Sequence, residues 1–197
     1  MIVVIKYNAG NIKSLSFALE RLGVDFKITG VHEEILRADK VIFPGVGEAS
    51  STMSYLKEHK LDAVIKNLKQ PTLGICLGMQ LMCRYSEENA TECLGIFDDV
   101  VKLIPATNGL KVPHMGWNKL ENEKDWLNNS SFAKNNPHYA YFVHSYYIPV
   151  NKNTTATCSY GVEISAAMRK DNFYALQFHP EKSAETGELI LKQFLEL

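Results

Sequence analysis

The stretch Pro71-Thr-Leu-Gly-Ile-Cys-Leu-Gly-Met-Gln80 passes from one periodicity to another. Thr72 to Ile75 is a short apolar run bounded by Pro71, as a strand buried on both faces would be, and from Met79 to Ser86 the composition turns helical. Between them, Gly74-Ile-Cys-Leu-Gly78 reads as a nucleophile elbow written with a thiol. In such elbows the nucleophile sits on a strained strand-to-helix turn, and flanking glycines remove the Cβ atoms that would clash there. With glycine at ~7% usage, two glycines at these offsets around a cysteine arise by chance roughly once in 200. The plainer reading is a buried core cysteine.

The alternation continues on either side. Ile2 to Ile5 reads as a first strand, and Gly10-Asn11 opens an amphipathic helix with Leu15, Leu19 and Leu22 on one side. Val24 to Ile28 and Lys40 to Phe43 are further strands, followed by a helical stretch through Leu56, Leu61, Val64 and Leu68. This βαβα order predicts an α/β fold with an open, mostly parallel but mixed central sheet flanked by helices, in one domain over residues 1–197. From about Leu94 the segments become strand-like: Ile96-Phe97, Val100-Val101, Tyr139 to Val143, and Ala166 to Arg169 facing Phe173 to Leu176 across a tight turn at Asp171-Asn172. Glu121 to Pro137 is polar and reads as a surface excursion. A closing helix from about Glu185 to Leu195 is expected to pack Leu189, Phe194 and Leu195 inward.

Composition narrows the function. The 197 residues are 46% hydrophobic and 22% charged, with 21 Lys+Arg against 22 Asp+Glu. No basic excess is available for nucleic acid or a membrane surface. A (β/α)8 barrel alone takes roughly 250 residues, so a second large active site would have to sit on another chain. Cys76, Cys83, Cys93 and Cys158 form no C-x-x-C pair and are too sparse for a disulfide scaffold, which fits reduced thiols in a cytoplasmic protein. Met1-Ile-Val-Val-Ile5 lacks the basic start of a secretory signal, and no run approaches the ~20 apolar residues of a membrane span. Neither a nucleotide-binding glycine motif nor closely spaced metal ligands are present, so no cofactor and no metal are expected.

Two further motifs follow predicted strands. In His179-Pro-Glu181 an extended backbone sends residues i and i+2 to one face, so the Glu181 carboxylate can reach the His179 ring. A carboxylate on one ring nitrogen sets the tautomer and leaves the other nitrogen to exchange a proton with a thiol and a leaving amine. A solvated His and Glu at a strand end is the alternative. Phe43-Pro-Gly-Val-Gly47 could turn backbone N–H groups toward a ligand and supply an oxyanion donor beside the Leu77 amide, which a helix N-terminus presents next to Cys76 together with a dipole that stabilises a thiolate. An ordinary turn explains that loop nearly as well.

With Gly74 to Gln80, Pro44-Gly-Val-Gly47 and His179-Pro-Glu181 in hand, the sequence resembles the class I (triad) glutamine amidotransferases. Pro113-His-Met-Gly-Trp-Asn118, Tyr141-Phe-Val-His-Ser-Tyr146, Gly10-Asn11 and Phe178-His-Pro-Glu-Lys-Ser183 narrow the resemblance to the glutaminase subunits of imidazole glycerol phosphate synthase, and it spans essentially the whole chain. The resemblance implies that Cys76 attacks the side-chain amide of glutamine, releasing ammonia and forming a glutamyl thioester that water hydrolyses to glutamate. His179 would carry the protons and Glu181 orient it. Val46 or Gly47 and Leu77 would supply the oxyanion N–H groups. Gly45, Gln80 and Glu88 would hold the substrate, Glu88 on its α-ammonium, while Ser145 and Tyr146 would bind its α-carboxylate mainly through backbone groups. Lys6 and Asn8 depart from the family pattern, which has Asp and Gly there.

The resemblance also implies a partner. Ammonia is largely protonated near neutral pH and ammonium is not nucleophilic, so an acceptor site must receive it first. That site would be the (β/α)8 cyclase subunit of the synthase, in a heterodimer serving histidine biosynthesis. Asn11, Met115, Trp117 and Lys182 would lie at the interface; a core position is the alternative for Trp117. Two other readings stay open: a glutaminase serving anthranilate or aminodeoxychorismate synthase, against which Pro113 to Asn118 speaks, and a catalytically dead module, against which the intact triad speaks.

Overall fold

Alternate side chains of β1 (Ile2–Ile5) point to opposite faces of a sheet and feed two separate cores. Ile2 and Val4 pack with Leu15 and Leu19 of α1 (Ile12–Arg21) and with Ile190, Leu191 and Phe194. Val3 and Ile5 pack with Ile35, Met53, Leu56 and Ile65 on the other side. The structure, a computed structural model, describes residues 1–8, 12–107, 109–127 and 137–197.

Parallel pairing builds the sheet outward from β1: β2 (Phe26–Thr29) on one side and β3 (Lys40–Phe43), then β4 (Thr72–Ile75), on the other. Beyond β4 comes β13 (Phe173–Leu176), also parallel, and then β12 (Glu163–Lys170) and β11 (Thr154–Ser159), which run antiparallel. The seven-stranded order among the described residues is β11-β12-β13-β4-β3-β1-β2, the expected mixed sheet. The hairpin joins β12 to β13 through Asp171, whose φ is 54°. Because β13 lies between β12 and β4, all four of its residues are buried, whatever face they point to.

Helices α2 (His32–Arg37), α3 (Ala49–Glu58), α4 (Leu61–Lys66) and α5 (Leu77–Met82) follow in chain order. A small sheet of β5 (Tyr85–Ser86), β6 (Thr91–Glu92), β7 (Val100–Leu103) and β10 (Tyr146–Tyr147) and a ribbon of β8 (His114–Lys119) and β9 (Tyr139–His144) complete the described strands. The chain closes on α6 (Ala184–Leu195).

Several expectations are corrected in detail. The helical stretch through Leu56 and Val64 is two helices, because Lys60 between them is left-handed with φ 54°. The helix after Cys76 begins at Leu77 and ends at Met82; Tyr85-Ser86 is a strand, paired with β6 and β7. Ile96 and Phe97 form no strand. Their N–H groups both donate to the Met82 carbonyl at 2.9 Å and so terminate α5. In α6, Ile190, Leu191 and Phe194 are buried, whereas Leu189 and Leu195 are only partly so. The polar segment from Glu121 hides Trp126 and Leu127 in the core, and the predicted helix opening at Gly10-Asn11 lies outside the described residues.

Candidate active site

Cys76 is the single residue between β4 and α5, with φ 53° and ψ −110°, a backbone region that residues other than glycine rarely occupy. Packing holds it there. A Cβ on Gly78 would run into the Phe43 carbonyl oxygen and one on Gly45 into the Gly78 nitrogen, so the loop after β3 rests directly on the first turn of α5. A Cβ on Gly74 would lie 2.8 Å from the Met82 sulfur and 3.0 Å from the Met79 nitrogen. The backbone of Cys76 is fixed at both ends, its N–H donating to Leu176 at 2.7 Å and its carbonyl accepting from Gln80 at 3.1 Å. Its sulfur faces the Val143 carbonyl at 3.7 Å and the Gln177 amide at 3.9 Å.

His179 and Glu181 lie in the turn beyond β13. The Ser183 hydroxyl donates to the His179 carbonyl at 2.7 Å and accepts the Tyr141 N–H at 2.9 Å, while the His179 N–H donates to the Tyr141 carbonyl at 2.9 Å. Strand β9 therefore clamps this turn. His179 Nδ1 lies 2.9 Å from Glu181 Oε1, with both side chains buried. Burial works against charge on His179, but the neighbouring Cys76 sulfur and Glu181 carboxylate favour it more strongly, and the pKa is raised to about 10.

These groups open on a cavity of about 340 Å³, at the small end of ligand pockets. Its walls bring together Val46, Gly47, Cys76, Leu77, Gln80, Glu88, Ser145, Tyr146, His179 and Lys182. Of the residues singled out in the sequence, Gly45 sits just outside this lining, and Glu181 lies behind His179. Glu88 Oε2 accepts the Ala49 N–H at 2.8 Å. Burial and the nearby Glu48 carboxylate push the Glu88 pKa up against that bond, and among the described residues no cation pairs with it. Both N–H groups of Gln80 are spent, on the Tyr146 carbonyl at 2.8 Å and on Gln177 Oε1 at 3.0 Å. The Leu77 N–H is also engaged, at 3.4 Å from the Gly45 carbonyl oxygen.

On the ribbon, Met115 and Trp117 are 62% and 55% exposed, so Trp117 is not a core residue. Lys182 is exposed between them and the cavity, its ammonium 6.0 Å from the Tyr141 ring. Asn11 lies outside the described residues. Tyr7, Pro113, Val143, His144 and Gln177 also stand at the site, although no motif assigned any of them a role. Tyr7 donates its hydroxyl to the Pro44 carbonyl at 2.5 Å beneath the glycine loop, and Gln177 reaches both Gln80 and Cys76. Pro113, Val143 and His144 stand inside the motifs quoted above, and Gln177 lies two residues before His179 on the extended segment. Tyr7 meets Pro44 and Val143 meets Cys76 across 37 and 67 residues, contacts that no local pattern announces.

A thiol on a helix N-terminus, a histidine paired with a carboxylate, and an adjoining cavity form a nucleophile with its own proton carrier. Residues 3–197 match the family model for glutamine amidotransferase class-I. The sequence is 58% identical over 197 residues to the imidazole glycerol phosphate synthase subunit HisH of Bacteroides fragilis, covering 100% of this chain and 99% of that one. It is 47% identical over 199 residues to the subunit HisH 2 of Legionella pneumophila, covering 100% and 98%. A solved glutamine amidotransferase superposes with a TM-score of 0.75 at 18% identity, over 99% of this chain and 97% of that one. The chain thus belongs to the class I glutamine amidotransferases and, within them, to the HisH subunits.

Proposed function

We propose that Cys76 is the nucleophile, His179 the proton carrier and Glu181 its orienting carboxylate in a glutaminase that works through a glutamyl thioester. The chain hydrolyses glutamine to glutamate and ammonia and feeds the ammonia to a cyclase partner in histidine biosynthesis. The reading is carried by Cys76 and His179 facing one cavity, the histidine's Nδ1 lying 2.9 Å from a buried carboxylate. Cys76 Sγ bonds to the side-chain amide carbon and the carbonyl electron pair moves onto oxygen. Collapse of that adduct expels the amine, which leaves as ammonia with the proton from His179. Water then attacks the thioester, gives a proton to His179 and releases glutamate, restoring the sulfur. With a pKa near 10, His179 carries the proton that the first leaving group needs.

The Leu77 N–H can serve the oxyanion only once the Gly45 carbonyl withdraws from it. Rotation of the Gly45–Val46 peptide would remove that carbonyl and turn the Val46 N–H, or with it that of Gly47, toward the same point. Turnover by the lone subunit is accordingly low and rises when the partner reshapes this loop. Glu88, partly buried and paired with no cation among the described residues, takes the substrate's α-ammonium. Ser145 and Tyr146 take the α-carboxylate, Gln80 holds the Tyr146 carbonyl in place, and Gly45 frames the entrance. Met115, Trp117, Lys182 and Asn11 meet the cyclase. The subunit acts as one domain over residues 1–197, in the cytoplasm, in keeping with four free cysteines and no helix among the described residues long and apolar enough to cross a membrane.

A glutaminase assay with and without the cyclase and its ribotide ligand tests the reading. Wild type should be stimulated, and Cys76→Ala should fall by at least about a thousandfold under stimulated conditions. A wild-type rate indifferent to the cyclase overturns the coupling, and turnover retained by Cys76→Ala overturns the nucleophile.

A further inference from the structure

The two faces of β8 have different fates. Met115, Trp117 and Lys119 are exposed, while His114, Gly116 and Asn118 turn inward, and the chemistry above uses neither His114 nor Asn118. His114 is 2% exposed and its ring lies nearly parallel to those of Tyr160, at 3.9 Å, and Phe142, at 4.8 Å. Its nearest polar partner is His144, 6% exposed, which lines the cavity.

The hydrogens in this cluster have only one consistent arrangement. His144 Nδ1 is 2.8 Å from the Tyr146 carbonyl, which can only accept, so Nδ1 carries the hydrogen and Nε2 of the neutral ring accepts. His114 Nδ1, 3.0 Å from that Nε2, must therefore donate, which leaves His114 Nε2 as the acceptor for Asn118 Nδ2 at 3.4 Å. Asn118 cannot reverse, because its Oδ1 accepts the Lys119 N–H at 2.8 Å and its Nδ2 also donates to the Ser159 carbonyl at 2.9 Å. Donation therefore runs in one direction, from Asn118 through His114 and His144 to Tyr146. An additional proton on either ring would face N–H against N–H. Burial lowers the His114 pKa to about 4. Burial, with His114 and His179 nearby, lowers that of His144 to about 3 against the pull of the Tyr146 bond, so both rings stay neutral.

At the far end, the Tyr146 carbonyl also accepts from Gln80 at 2.8 Å, and the Ser145 carbonyl accepts the Ile104 N–H at 2.9 Å. Both carbonyls of the segment that edges the cavity are thereby tied to the scaffold. We propose that the His114–His144 pair is a positioning relay for glutamine binding: it holds the Ser145–Tyr146 edge of the cavity by the Tyr146 carbonyl and ties that edge to the strand whose outer face carries Met115 and Trp117. The inference rests on the reading of the cavity as a glutamine site.

Two variants separate the relay from simple packing. His114→Phe keeps a ring in the stack and removes both hydrogen bonds, so that His144 Nε2 has no donor. His114→Asn gives up the stack but can place an amide N–H where Nδ1 was. Assayed with the cyclase and its ribotide, His114→Phe should raise the KM for glutamine about five- to tenfold with kcat within about twofold, and His114→Asn should recover most of that loss. A KM unchanged in His114→Phe, or an Asn variant as impaired as the Phe variant or more so, overturns the relay. Nitrogen-15 spectra of wild-type histidines supply a readout independent of turnover and of variant folding. Nδ1–H on both rings is expected, and Nε2–H on either overturns the proposal. Absence of wild-type glutamine hydrolysis would instead remove the glutaminase reading and leave the spectra to decide the hydrogen-bond order.

Discussion

Two walls meet at the Cys76 sulfur, and they are built by different rules. One is the elbow, where β4 and α5 are buried throughout and the loop after β3 approaches so closely that Gly45 and Gly78 have no room for a Cβ. The other is the β8–β9 ribbon, two strands paired Met115 with Val143 and Trp117 with Tyr141, whose outer side leaves Met115, Trp117 and Tyr139 about half exposed or more, at 62%, 55% and 49%. In the elbow every residue choice answers to the chain's own packing. On the ribbon Ala140 and Phe142 are buried in the core, while Met115 and Trp117 on the outer side are largely left to solvent, as the proposed cyclase contact would require. Under the proposed function, the elbow holds residues that the glutaminase needs to fold and the outer ribbon face those that couple it to its partner.

The hardest test of this division is Gly78→Ala. The added methyl has to displace the Phe43 carbonyl, so denaturation should show a loss of about 2–3 kcal/mol or more, with glutaminase activity falling alongside. A neutral Gly78→Ala would mean that the elbow is not held by close approach. The opposite behaviour is expected of Trp117→Ala. Its stability should stay within about 0.5 kcal/mol of wild type, while affinity for the cyclase, measured by calorimetry, drops about tenfold or more. A large loss of stability would make Trp117 a structural residue after all.

Acid–base behaviour sharpens the elbow side. The pKa of His179 is raised from 6.5 to about 10, so between these values the folded protein binds the proton that the unfolded chain gives up. The stabilisation is complete below about pH 6.5 and is lost as pH rises through about 10. Stability measured from pH 7 to 10 should therefore decline in wild type and decline less in Cys76→Ala, which lacks the sulfur. Equal slopes would show that the sulfur does not raise that pKa.

The smallest effect belongs to the helix that carries the Glu88 contact. Glu48 caps α3 by accepting the Ser50 and Ser51 N–H groups at 2.7 Å. Burial raises its pKa, but those bonds and Asn89 bring it down to about 2. Glu48→Ala should cost about 1 kcal/mol at neutral pH. The difference should vanish as pH falls from about 4.5 toward 2, and a difference that persisted at pH 2 would point to packing rather than capping.

The ends of β3 and β4 were legible because Pro44 and Pro71 punctuate unbroken apolar runs, and the β12–β13 hairpin because Asp171-Asn172 interrupts two strand-like segments. The break between α3 and α4 was not, since Lys60 has no sequence preference that would announce a left-handed residue. Nor was the strand at Tyr85-Ser86, which exists only because β6 and β7 lie beside it. In the site, Cys76, His179 and Glu181 could be named because each sits at a local motif with its own stereochemistry. The contacts Tyr7–Pro44, Val143–Cys76 and His114–His144 could not, because those partners lie 37, 67 and 30 residues apart.

Sequence by itself determined the βαβα alternation of the parallel strands, the elbow and the chemical types brought to it, because strand alternation, helix periodicity and glycine spacing act over a few residues at a time. Tertiary structure alone decided that the Leu77 N–H is covered by the Gly45 carbonyl, that Trp117 faces solvent and that two histidines point their hydrogens one way. Those outcomes depend on which distant groups compete for the same volume and the same lone pair, and only the packed chain settles that competition.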